Sequence, residues 1–114
     1  MTYAAADGDI RAVREYLDNG VSVEAVNYEG STAAFTAAAA GSKPVLELLA
    51  ARRANLNAIN SYGDSPLAAA IGNKHAEAAT FLRAHGAKVI EGTPEQRQAA
   101  SETIVRREME REGH

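Results

Sequence analysis

One constant spacing, the step from Ala4 to Ala37 and again from Ala37 to Ala70, constrains this chain more than any other feature. Ala4-Ala5 returns as Ala37-Ala38 and again as Ala70-Ile71, and Gly8 returns as Gly41 and then as Lys74. Asn27-Tyr28-Glu29-Gly30 is matched by Asn60-Ser61-Tyr62-Gly63, Gly20-Val21 by Arg53-Ala54 and Gly86-Ala87, and Val23 by Leu56 and Val89, all in one register. Each interval holds two short apolar runs and a turn. A unit of that size cannot bury its apolar face alone, so it must stack on its neighbours, and the expected architecture is a solenoid.

The residue types fit such a stack. Thr32 and Ser65 stand where a side-chain oxygen can accept from the first free amides of a helix, and Pro66 follows at the first helical position, where no N–H is needed. The helices they start are rich in alanine, Ala33-Ala34 and Ala37 to Ala40 in one unit and Ala68 to Ala70 in the next, so neighbouring backbones can approach closely. The second helix of each unit supplies bulk at helical spacing: Val13, Tyr16 and Leu17, then Val45, Leu46 and Leu49, then Ala79 and Leu82. Gly20 and Gly86 are placed to end these helices in a left-handed cap.

Period and motif together resemble the ankyrin repeat family. Gly63, Ser65, Pro66, Leu67, Ala70, His75, Glu77, Leu82, Gly86, Ala87 and Val89 fall where that family carries G-x-T-P-L-x-x-A, H-x-E, L and G-A-x-V. The preceding unit matches through Gly30, Thr32, Ala37-Ala38, Gly41, Val45-Leu46, Leu49, Ala54 and Asn57-Ala58, with Ala33 in place of the usual proline. The resemblance covers residues 3 to 90. It implies an all-α helix-turn-helix solenoid with short β-turn fingers, divided into a half repeat (1–26), repeats at 27–59 and 60–92, and a C-terminal capping helix (93–114). Three departures mark weak points: Arg53 in the place of a capping glycine, Lys74 in the place of the glycine between helices, and Arg83 where leucine would face a further repeat.

The ends are read separately. The first unit begins with only the end of an inner helix, so it is either a truncated cap or preceded by a removed segment. The expected location is the cytoplasm, or the periplasm or exterior if that segment was a signal peptide. In "GTPEQRQAASETIVRREMEREGH", Thr93 is the expected N-cap, Pro94 the first helical residue and Gln96 the reciprocal member of a capping box, which predicts one helix from Pro94 to Glu112. Ala99, Ala100, Thr103 and Ile104 share a face suited to sealing the last repeat. Val105 and Met109 fall on another face, either as scattered apolar residues or as a small docking or self-association patch.

No catalytic constellation emerges. Cysteine is absent, and the three histidines, His75, His85 and His114, form no HExxH pair, so neither a metal site nor another cofactor is expected. Ser65 and Asp64 lack a suitably placed histidine, and "GNK" lacks the rest of a phosphate-binding loop. A net charge of −3, with both signs mixed along the chain, gives no field for nucleic acid or an anionic membrane, and no apolar run is long enough to span a bilayer. The chain is expected to be no enzyme and to bind neither.

What the resemblance implies instead is a protein partner held by the finger tips and by the concave face of the inner helices. Carried over by position, the fingers comprise Val26, Tyr28, Glu29 and Ser31, then Ile59, Ser61, Tyr62 and Asp64. The concave side takes in Asp7, Ala39, Ala40, Gly72 and Asn73, with Phe35 near the base of a finger. Tyr28 and Tyr62 are either interface anchors or packing between adjacent fingers. The unbound chain is expected to be a monomer. A narrower version is an inhibitor or immunity-type regulator covering a partner enzyme's active site; the alternative is a structural module pairing through its C-terminal helix.

Overall fold

A computed structural model describes residues 1–112 and the side chains of residues 1–107. Among these, seven helices follow in order: α1 (Thr2–Ala6), α2 (Ile10–Asp18), α3 (Ala33–Ala40), α4 (Lys43–Ala51), α5 (Pro66–Gly72), α6 (Ala76–Ala84) and α7 (Pro94–Glu112). Among the described residues there is no strand beyond a single antiparallel bridge between Val26 and Thr32. The fold is the expected all-α solenoid. Helices α1, α3 and α5 form an inner row, α2, α4 and α6 an outer row, and each inner helix also packs on the outer helix that follows it.

Alanine makes the inner row close. Ala5, Ala33, Ala34, Ala37, Ala38 and Ala70 are buried between neighbouring inner helices, where a larger side chain would push the rows apart. The outer helices fill the wedge behind them with Val13, Val45, Leu46, Leu49 and Leu82, all fully buried. Tyr16 departs from the expectation. It holds the register position of the fully buried Leu49 yet is 45% exposed, because α2 has an outer neighbour on one side only and a phenol keeps its hydroxyl in water.

The caps form as their residue types require. Thr32 Oγ1 accepts from Phe35 N–H and Ser65 Oγ from Ala68 N–H, each at 3.3 Å. Thr93 and Gln96 form a reciprocal box: Gln96 N–H donates to Thr93 Oγ1 (3.1 Å) and Thr93 N–H to Gln96 Oε1 (2.8 Å). Helix α7 joins neither row closely; it runs beside the second finger, sharing a cleft with Ser61. Of the face expected to seal the last repeat, Ala100 and Ile104 are buried while Ala99 and Thr103 stay exposed.

The three departures in sequence have distinct physical meanings. Gly8 and Gly41 have φ of 72° and 76°, and a Cβ on Gly41 would lie 2.5 Å from the His75 ring, so glycine there serves both conformation and close stacking. Lys74 holds the same conformation, with φ 62°, at the last such position. Arg53 also has φ 62°, while its counterparts Gly20 and Gly86 have open space where a Cβ would point. Strain at both positions is therefore conformational. Arg53→Gly and Lys74→Gly are each expected to add about 0.5–1 kcal/mol, net of glycine's greater freedom when unfolded. Together they should raise Tm by roughly 5 °C in a thermal melt. Arg83 is exposed, and Ile71, at the register position of the buried Ala38, is 42% exposed, so among the described residues no further helix pair covers this end.

Candidate partner-binding surface

Two asparagines build the fingers. Asn27 Oδ1 accepts from Glu29 N–H (2.9 Å) and Ser31 N–H (3.0 Å), and one unit further on Asn60 Oδ1 accepts from Tyr62 N–H (3.0 Å) and Asp64 N–H (3.1 Å). Each turn is closed by a backbone bond at its base, Asn27 N–H to Ser31 O and Asn60 N–H to Asp64 O, both 3.0 Å. An Asx turn of this kind satisfies two amides that no helix reaches. Ser61 N–H then donates to Glu29 O (2.9 Å), locking one finger to the next.

A third, shorter turn follows the last helix pair. Ser65 is completely buried; its Oγ donates to Lys88 O (2.8 Å) and accepts from Ile90 N–H (3.0 Å), while its own N–H donates to Ile90 O (2.8 Å). Gly92 N–H reaches Asp64 Oδ1 (3.0 Å), and Arg97 from α7 pairs with the same oxygen at 2.6 Å. Asp64 thus ties the end of the stack to α7.

Below the fingers, the inner helices form the floor of an open groove of two adjoining compartments of about 330 and 350 Å³. Phe35 and Ala39 line both. Ala6, Glu29, Thr36, Ala40 and Asn60 border the first; Asp64, Ala68, Ala69, Gly72, Asn73, Glu91 and Arg97 border the second. Two cross-links hold the floor in place: Thr36 Oγ1 donates to Thr2 O (3.0 Å) and Asn73 Nδ2 to Ala39 O (2.9 Å).

The residues expected at this surface divide into three sets. Glu29, Phe35, Ala39, Ala40, Asp64 and Asn73 converge on the groove, and Asp7 is exposed at the inner-helix position matching Ala40 and Asn73. Val26, Tyr28 and Ile59 are exposed on the finger edges, Tyr62 is half-buried, and Ser61 faces the cleft with α7. Ser31 forms the third set: it also borders the groove but is 4% exposed, because its backbone closes the first turn, which leaves a partner little of its surface. Sequence reasoning did not place Glu91 and Arg97 here. The signal was Gly92-Thr93-Pro94, a shortened copy of Gly63-Asp64-Ser65-Pro66, which brings α7 in early.

Val105 is 53% exposed and borders a shallow apolar depression on α7 with Gln98, Ser101, Glu102 and Arg106. The side chain of Met109, expected beside it, and His114 lie outside the described residues. Among the described residues no three His, Cys, Asp or Glu side chains converge as metal ligands, and no helix is long and apolar enough to cross a membrane.

A family model described as ankyrin repeats (three copies) matches residues 1–91. Serine/threonine-protein kinase 12 of Arabidopsis thaliana is 35% identical over 88 residues, covering 77% of this chain and 19% of the kinase. An L-asparaginase of Dirofilaria immitis is 29% identical over 87 residues, covering 76% of this chain and 15% of that protein. The chain spans less than a fifth of the length of either relative, and both matches are to the repeat region.

Proposed function

The chain belongs to the ankyrin repeat family, and from that premise we propose that it binds a partner protein in the groove formed by its inner helices and fingers. Ankyrin repeats are in general protein–protein interaction modules and are in general not catalytic. The observation that carries the placement is that Phe35 and Ala39 line both compartments of one open groove. A concave floor that mixes apolar and polar groups is what a partner segment needs to lose water without losing hydrogen bonds.

On this reading Phe35 is the anchor. An aromatic ring, half-buried and fixed by its own helix, offers area at little cost in rotamer freedom. The exposed finger residues Val26 and Ile59 form the rim. Binding here acts as inhibition when the captured segment is part of a partner enzyme's active site, and as scaffolding when it is not.

Ala39→Arg tests the placement, because it fills the middle of the groove from a half-buried position on α3 without disturbing the core. After affinity capture from a lysate of the host has supplied the partner, Ala39→Arg is expected to weaken its binding at least about thirtyfold, the loss typical of a blocked hot spot. Glu47→Arg on the exposed face of α4 should leave it unchanged. Wild-type affinity for Ala39→Arg, with an unaltered melt, would remove the groove as the binding site.

A further inference from the structure

Resting on the groove as the partner site, we infer that the segment it receives is basic. Apart from Arg97, cations are excluded from the surface that forms it. No lysine or arginine occurs before Arg11, between Arg14 and Lys43, or between Arg53 and Lys74. Those three spans contain every inner helix and both complete fingers; the lysines and arginines up to Lys88 lie on the outer helices and their loops.

The acids are distributed the opposite way along the groove. Glu29 borders one compartment and Glu91 the other. The one cation reaching the groove among the described residues, Arg97, is already paired with Asp64 at 2.6 Å. Glu29 and Glu91 have no ion-pair partner among the described residues, so the groove carries uncompensated negative charge at both ends. Between them the floor is alanine, glycine and the Phe35 ring, with Thr36 and Asn73 tied down by bonds to neighbouring helices. Such a floor accepts the aliphatic stem of lysine or arginine while the head group reaches a rim carboxylate, and the ring face adds attraction for a cation. Complementary charge of this kind sets partner choice and encounter rate more than gross affinity.

The test titrates the isotope-labelled 114-residue chain with two synthetic twelve-residue peptides that differ only in carrying lysine or glutamate at alternate positions, followed by amide NMR. The lysine peptide is expected to shift the amides of Phe35, Ala39 and Gly72, and to bind more weakly as salt screens the rim. Glu29→Lys/Glu91→Lys should lower its affinity about tenfold or more, Glu29→Gln/Glu91→Gln by less, and Glu47→Lys not at all. The inference is overturned if the glutamate peptide shifts the same amides as strongly, if Glu29→Lys/Glu91→Lys binds the lysine peptide like wild type, or if neither peptide moves these amides. In each case the groove itself is judged independently, by whether Ala39→Arg still blocks the captured partner.

Discussion

Leu49→Ala is expected to lower stability by about 3–4 kcal/mol, the middle of the range for emptying a leucine site in a packed core. Leu49 has no exposed surface and lies in the middle outer helix, with α2 on one side and α6 on the other. The void cannot close easily. The inner row behind it is already in backbone contact through alanines, so drawing α4 inward would break its contacts with both outer neighbours. For a chain of this size the loss corresponds to a fall in Tm of roughly 15 °C or more in a calorimetric scan. Tyr16→Ala, at the equivalent but half-exposed position, should cost well under half as much. Equal effects at the two positions would mean that the rows are not packed as described.

Gly92→Ala should have the second largest effect, and of a different kind. A Cβ at Gly92 would fall on the Tyr62 carbonyl oxygen and against the Gly63 backbone, neither of which can swing aside as a side chain could. The residue's φ lies outside the left-handed region, so the cost is steric. Relief requires the short third turn to lift, breaking Gly92 N–H to Asp64 and straining the Ser65 bonds to residues 88 and 90. Each buried group left without a partner costs about 1–3 kcal/mol, so a local loss of about 3 kcal/mol is expected. Hydrogen exchange should show α7 amides losing protection while those of α3 and α4 keep theirs. Gly20→Ala, with open space around its Cβ and only a left-handed φ against it, should cost about 1 kcal/mol and leave α7 untouched.

The period was enough to read the stacked helix pairs, because every unit repeats the same small set of physical requirements: a capping hydroxyl at Thr32 and Ser65, alanine where backbones meet, and leucine or valine behind. The capping box at Thr93 and Gln96 was equally legible, since both partners lie within one turn. Burial at the surface was not. Ser31 belongs to a finger by register, yet its backbone is the group that closes the turn and so becomes covered. Tyr16 matches buried leucines by register, but burial depends on neighbours that the first outer helix has on one side only. Glu91 and Arg97 escaped because they reach the groove from a segment whose turn is shorter than those of the repeats before it, which throws them out of register with Ser65 and Pro66.

The side-chain hydrogen bonds that cross from one unit to the next join residues 31 to 34 positions apart, from Asn55 with Glu24 to Thr36 with Thr2. No tie among them links the first unit directly to the third. Folding in such a molecule needs only short loops to close, so it is fast for its length and can begin at any adjoining pair. Loss of order proceeds inward from the two extremities, and the middle pair, held from both sides, is the last to melt.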